Sequence, residues 1–145
     1  MNPTTLRIFV YDWIVAHGTP PSTFEIGAKF GGTASDAKAA LADLKIGKTV
    51  LPDARTGEIW MAGPFAAAPT PYRVVGAKAS WWANCAWDML GVAAIVGEDV
   101  RIEAVCTDCG DPMPSKVTVN DGVIGDGLVH LLVPARDWYR DIGYT

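Results

Sequence analysis

A thiol and a carboxylate lie three residues apart, at Cys85 and Asp88, in the most hydrophobic part of the sequence. The surrounding stretch, residues 79–96, predicts a helix on which both side chains share one face. A buried aspartate must be paired, hydrogen-bonded or functional, because an isolated buried charge is costly. A thiolate binds soft metal ions, and a carboxyl group in apolar surroundings can carry a proton. The alternative is a core helix with a hydrogen-bonded aspartate and an inert cysteine.

Two further thiols, Cys106 and Cys109, form a single C-x-x-C pattern. One such pair, without a second pair or a histidine cluster at ligand spacing, falls short of a structural zinc site. A redox motif would open a helix after a strand, whereas the following residues 110–112, Gly-Asp-Pro, predict a loop. A metal or redox site stays open as an alternative. We interpret His17, at a predicted helix end, and His130, in an apolar segment, as structural histidines.

The composition indicates a folded chain without a membrane segment. Half of the 145 residues are apolar, which allows one ordinary domain or two very small ones. The early apolar run, residues 6–16, is interrupted by Asp12 and lacks a small-residue cleavage site, so it does not resemble a signal peptide. Three cysteines, an odd number, fit a reducing compartment. We therefore expect a cytoplasmic protein with no membrane partner.

The charge distribution argues against nucleic acid as a partner. Residues 1–75 carry seven Lys/Arg and six Asp/Glu, and residues 76–145 carry five and ten, which together give the net charge of −4. Neither half has the basic stripe that binding to a phosphate backbone requires.

The first half predicts a winged-helix-like domain over residues 1–64, with three helices followed by a β-hairpin. Ser22 and Glu25 have the spacing of a capping box at the start of the second helix. Such domains bind DNA through the third helix, but the charges of this one nearly cancel. A winged-helix transcription regulator is therefore the weakest alternative. The predicted helices span residues 4–16, 22–30 and 34–46, and the predicted hairpin strands span residues 50–51 and 59–61.

The second half, residues 65–145, predicts a helix packed on a small, mostly antiparallel sheet. The connector at residues 62–71 is rich in proline, alanine and glycine and marks the domain boundary. The whole chain is thus expected to be an α+β protein. The predicted strands span residues 72–75, 99–105, 116–119, 123–124 and the apolar run 128–133, and a helical turn is predicted over residues 135–142.

Residues 82–88, Trp-Ala-Asn-Cys-Ala-Trp-Asp, resemble the Trp-Cys-Ala-x-Asp signature of organomercurial (alkylmercury) lyases. The order of segments is also similar to that family. A winged-helix-like domain is followed by a proline-containing connector, the Cys-x-x-Asp helix, and a further cysteine after the next strand, at Cys106.

The resemblance implies cleavage of carbon–mercury bonds without a cofactor. In the family, two cysteine thiolates capture a small organomercurial and an aspartate protonates the departing carbon. The product Hg(II) then stays on the thiolates until it passes to a thiol acceptor such as mercuric reductase. By resemblance, Cys85 is the first thiolate, Asp88 is the proton carrier, and Cys106 corresponds to a structural cysteine.

The resemblance places the second catalytic cysteine after a segment similar to residues 138–145, where this sequence ends. We therefore expect a short or C-terminally truncated member of the family. Cys109 is the candidate to stand in for the missing cysteine, with Cys85 and Cys109 as ligands of Hg(II). With a single thiolate, mercury capture should weaken. The alternative is a non-catalytic relative that binds a soft metal or thiol through Cys85 with Cys106 or Cys109.

Overall fold

The computed structural model describes residues 1–143, and for residue 46 only the backbone; the last two residues of the predicted second domain lie outside it. Within that range, no helix is both long and apolar enough to cross a membrane. The helices are α1 (Pro3–His17), α2 (Thr23–Lys29), α3 (Ala34–Ile46), α4 (Ala86–Val96) and a final 3-10 helix (Ala135–Arg140).

Polar side chains define where the first three helices begin. Asn2 accepts hydrogen bonds from the backbone N–H groups at the start of α1. Ser22 and Glu25 form the predicted capping box of α2, and Thr33 with Asp36 forms a second one at α3. These bonds satisfy N–H groups that have no partner within the helix. The three N-terminal helices therefore begin close to the positions predicted from the sequence.

Within residues 1–143, eight strands form one sheet in which every ladder is antiparallel. The spatial order is β1-β2-β3-β5-β4-β6-β7-β8. Helices followed by an antiparallel sheet confirm the α+β class, and α4 packs against β4, β5 and β6 as predicted. The strands are β1 (Val50–Pro52), β2 (Ile59–Ala62), β3 (Phe65–Ala66), β4 (Tyr72–Val75), β5 (Ser80–Ala83), β6 (Val100–Ala104), β7 (Ser115–Thr118) and β8 (Gly122–Ile124).

Strands from both halves of the chain join this sheet. The predicted hairpin forms between β1 and β2, with Val50 opposite Ala62. The short strand β3 then pairs with β2 on one side and with β5 on the other. The hydrogen-bonded ladder is thus continuous across the predicted domain boundary at residues 64/65. The division into two domains stays a prediction.

The prediction of one helix over residues 79–96 is wrong for its first part. Residues 80–83 form β5, and α4 begins only at Ala86. Along β5 the burial alternates, since Trp81 and Ala83 are buried while Ser80 and Trp82 are half-buried. Aromatic residues with this alternation suit a strand that is paired on both sides, and these tertiary contacts outweigh the helical pattern of the sequence.

The prediction of a strand over residues 128–133 is also wrong. The chain is irregular from residue 126 to residue 134, and the Leu128 side chain is 95% exposed. The neighbouring strand β8 is short and exposed at all three residues, so it offers no buried face on which a further strand could pack. His130 therefore lies on an exposed irregular segment. The helical turn predicted after this segment is confirmed by the 3-10 helix.

Trp81 joins the first helix to the sheet. Its side chain is 2% exposed, and its indole Nε1 donates a hydrogen bond of 2.8 Å to the carbonyl oxygen of Ile14 in α1. A buried indole N–H needs such a partner, because an unsatisfied polar group inside a protein is costly. The contact positions α1 behind the strand that leads to Cys85.

We predict that Trp81→Phe lowers the free energy of unfolding by about 2 kcal/mol, because it removes a buried hydrogen bond and leaves a cavity. Denaturant unfolding followed by circular dichroism measures this change. The control is Trp87→Phe, at a tryptophan that is 53% exposed, for which we expect a change within about 0.5 kcal/mol. Equal losses in the two variants would contradict the role assigned to Trp81.

Candidate active site

Cys85 and Asp88 lie on the first turn of α4. Strand β5 ends at Ala83, the chain turns, and Cys85 becomes the N-cap residue with an extended backbone (φ −148°, ψ 178°). Asp88 is therefore the third residue of the helix, and the two side chains remain neighbours although Cys85 precedes the helix. The N-terminus of a helix carries a partial positive charge that favours a nearby anion.

Asn84 ties this turn to the loop between β2 and β3. Its Nδ2 donates to the carbonyl oxygen of Gly63 at 2.9 Å and to Asp88 Oδ2 at 3.3 Å. Its backbone N–H donates to the carbonyl oxygen of Pro64 at 3.2 Å. Two acceptors on the same amide nitrogen set the orientation of the side chain. The remaining oxygen, Oδ1, is buried without a hydrogen-bond partner among the described residues.

A glycine on α4 lets the same loop approach the helix closely. A Cβ atom built on Gly91 would lie 3.1 Å from Cβ of Pro64, closer than most real side-chain contacts. Glycine weakens a helix interior by about 1 kcal/mol relative to alanine, so its presence here fits a packing requirement. The loop and the start of α4 thus form one closely packed corner around Asn84.

The corner opens into a cavity of about 660 Å³, a size typical of small-molecule sites. Cys85 and Asp88 both line it, so the structure brings the two predicted catalytic residues to one space. Most of the other lining residues are apolar or aromatic. The remaining lining residues are Lys48, Leu51, Met61, Gly63, Pro64, Tyr72, Asn84, Ala86, Gly91, Ala94, Ile95, His130, Leu131, Leu132, Val133, Trp138, Tyr139 and Ile142.

The C-terminal segment, residues 130–142, forms one wall of this cavity. Within the segment, Trp138 Nε1 donates to the carbonyl oxygen of Val133 at 2.8 Å, which closes a compact loop. Lys48, just after α3, places its Nζ 4.0 Å from the centre of the Tyr139 ring. This cation–π contact holds the C-terminal wall against the N-terminal helices.

Burial controls the protonation of the two central groups. Loss of hydration raises the pKa of Asp88, and the nearby Asn84 amide and Cys85 thiol only partly oppose this. Burial also raises the pKa of Cys85, although the backbone N–H groups of Asp88 and Trp87 favour the thiolate. The Asp88 charge raises the pKa of Cys85 further. The pKa of Tyr72 is raised by its own burial and by the neighbouring Cys85.

The other two cysteines do not line the cavity. Cys106 is half-buried and Cys109 is exposed, and they lie in a turn after β6. The predicted sharing of one Hg(II) by Cys85 and Cys109 therefore gains no support from the structure. In residues 1–143, no three histidine, cysteine, aspartate or glutamate side chains group closely enough to hold a metal ion.

Several cavity residues were not predicted from the sequence. Lys48, Tyr72, Asn84 and Tyr139 come from separate segments, so no spacing in the sequence connects them. His130, interpreted as a structural histidine, is exposed and lines the cavity. For Asn84 alone the sequence contained an indication, because this residue lies directly before Cys85 and four residues before Asp88.

The sequence of residues 65–141 matches the alkylmercury lyase family, and this match covers more than half of the chain. The chain belongs to the alkylmercury lyase family. In this alkylmercury lyase family member, the matched region includes Cys85, Asp88 and residues 130–141 of the C-terminal wall. No curated protein matches the chain significantly.

The fold is also similar to that of a solved structure, the mercury-bound form of MerB2, with a TM-score of 0.50. The two chains are 18% identical, and the similarity covers 83% of this chain and 66% of that one. At 18% sequence identity, the structural similarity establishes only the fold. This family member thus spans slightly less than two thirds of the solved relative.

We predict that Asp88→Asn raises the free energy of unfolding near neutral pH. Burial raises the pKa of Asp88, so the folded protein takes up this proton at a higher pH than the unfolded chain does. The stability of the unmodified protein therefore falls as the pH rises through the raised pKa, whereas asparagine carries no charge. Denaturant unfolding at several pH values should show a stability difference that shrinks as the pH is lowered.

The control is Asp126→Asn, which changes an exposed carboxylate. We expect its free energy of unfolding to stay within about 0.5 kcal/mol of the unmodified protein. A stability gain for Asp88→Asn that is constant down to pH 3 would contradict the assigned effect of burial.

Proposed function

We propose that this protein cleaves carbon–mercury bonds by protonolysis, with Cys85 as the thiolate and Asp88 as the proton carrier. The observation that carries the proposal is the placement of a thiol and a half-buried carboxyl group side by side on one largely apolar cavity. Membership of the alkylmercury lyase family supports the same reaction class. Small organomercurials are the proposed substrates.

The first step is capture of the substrate. The apolar wall residues suit the organic group of the substrate, and the sulfur of Cys85 suits mercury, which prefers soft ligands. As the Hg–S bond forms, the thiol proton passes to the adjacent Asp88 carboxylate and the original mercury counter-ligand leaves. The raised pKa of Asp88 helps it to hold this proton near neutral pH.

The second step is protonation of carbon. Asp88 returns its proton to the carbon bound to mercury, so a C–H bond forms as the C–Hg bond breaks. The hydrocarbon leaves, Asp88 becomes a carboxylate again, and Hg(II) stays on Cys85. Asn84 acts as a positioning residue, because its amide holds the Asp88 carboxylate while it is bound to the neighbouring loop.

A second sulfur ligand for Hg(II) must come from outside the part of the cavity wall that the structure describes. Among residues 1–143, Cys85 is the one cysteine that lines the cavity. We propose that a small thiol enters the cavity, supplies the second sulfur and removes Hg(II), and that a thiol acceptor such as mercuric reductase follows. The proposal includes a cytoplasmic location, because free thiols persist in a reducing compartment. It also includes a role in mercury resistance.

We predict that the protein releases benzene from phenylmercury in the presence of a small thiol. Cys85→Ser should abolish release, because serine is a poor ligand for mercury. Asp88→Asn should reduce release by at least about 100-fold, in line with the loss of a proton-transfer group. Gas chromatography of the hydrocarbon measures the rate.

Trp87→Phe, which changes an exposed residue of the same helix, serves as the control and should retain most of the activity. Hydrocarbon release at an unchanged rate in Cys85→Ser would contradict the proposed mechanism. So would the absence of release at every thiol concentration tested.

The single cavity thiol also favours a second candidate, a non-catalytic relative that captures organomercurials or soft metal ions. This candidate predicts stoichiometric binding of phenylmercury that depends on Cys85, without hydrocarbon release. Phenylmercury bound per chain and benzene released per chain, measured on the same sample, separate the two candidates.

A further inference from the structure

The C-x-x-C segment, residues 106–109, folds into a tight turn that the proposed reaction does not use. The Gly110 N–H donates to the carbonyl oxygen of Cys106 at 2.8 Å, which closes a single helix-like turn. The Cys106 N–H in turn donates to the carbonyl oxygen of Asp111 at 2.8 Å, and Val105 bridges to Pro112. The two cysteines are therefore held on a closed loop at the end of β6.

This turn places the two thiols side by side. In a helix-like turn, side chains three residues apart share one face, with Cβ atoms about 5–6 Å apart. Both thiols are free in the structure. This separation of the Cβ atoms suits an ion held between two sulfurs, each at a bond length of about 2.3 Å. Both thiols are accessible, since Cys109 is exposed and Cys106 is half-buried.

The backbone favours the thiolate form at this turn. The N–H groups of Cys109 and Asp108 lie beside the Cys106 sulfur and lower the pKa of that thiol, and the Cys109 thiol acts in the same direction. A backbone N–H of Asp111 lies beside the Cys109 sulfur, but the Cys106 thiol and the Asp111 carboxylate outweigh it and raise the pKa of Cys109. A soft ion binds the deprotonated sulfurs, so its binding to this pair is coupled to the release of the thiol protons.

We propose that Cys106 and Cys109 form a two-thiolate site for a soft metal ion such as Hg(II) or Cu(I), separate from the cavity. Ions that require four ligands, such as structural zinc, do not fit, because within residues 1–143 no three histidine, cysteine, aspartate or glutamate side chains group closely enough to hold a metal ion. Soft ions accept two sulfur ligands. On binding Hg(II), two S–Hg bonds form and two thiol protons are released. The site does not depend on carbon–mercury cleavage in the cavity.

The test uses the full chain with Cys85→Ser, which removes the cavity thiol, under anaerobic conditions. Hg(II) is titrated against a competing monothiol, free cysteine, and binding is followed by sulfur-to-mercury absorption and by counting reactive thiols. We expect one Hg(II) per chain, protection of both remaining thiols, and an affinity at least about 100-fold above that of Cys85→Ser/Cys109→Ser. The affinity for Hg(II) is higher with two linked thiols because, once one thiol has bound the ion, the second is present at a high effective concentration.

Cys85→Ser/Thr107→Ser is the matched control, because it changes the same turn without removing a thiol, and it should bind like Cys85→Ser. The decisive variant alters the exposed Cys109, which leaves the fold intact, as circular dichroism can verify. Equal affinities with and without Cys109, or two Hg(II) ions per chain bound one per thiol, would overturn the proposal. Because the cavity thiol is absent from every variant, the result is independent of the proposed lyase reaction.

Discussion

Strand β5 is the element on which the rest of the structure depends. It pairs with β3 on one side and with β4 on the other, so it joins strands from both halves of the chain. Its buried Trp81 donates a hydrogen bond to the backbone of α1, and its last residue leads directly into the turn that carries Cys85. A shift of β5 by one residue would turn Trp81 outward and move the thiol away from the cavity.

Burial of Asp88 links stability to the proposed chemistry. The carboxyl group is held at the start of α4 by Asn84, yet its hydration is reduced and its pKa is raised. A carboxylate in this position destabilises the fold near neutral pH, and the same effect makes it a better proton carrier. Such a loss of stability is expected at a functional group whose residue type is selected for activity rather than for stability.

The three cysteines occupy two contrasting environments. Cys85 is half-buried on a largely apolar cavity, and its partial burial raises its pKa. Cys106 and Cys109 lie together on an accessible turn whose backbone N–H groups lower the pKa of Cys106. In the two proposals, the cavity thiol takes mercury that is bound to carbon, and the thiol pair takes the free ion.

The sequence alone determined the α+β class, the three N-terminal helices with the capping box of the second one, and the spacing of Cys85 and Asp88, because these features rest on local patterns. It also carried the likeness to alkylmercury lyases, now established for residues 65–141. Tertiary structure decided that residues 80–83 form a strand, because pairing with β3 and β4 outweighs their helical pattern. It also decided that the apolar run 128–133 is an exposed segment, because the neighbouring strand β8 has no buried face on which this run could pack. Part of the run contributes to the cavity wall. The cavity itself joins residues from distant segments, and only the folded chain brings them together.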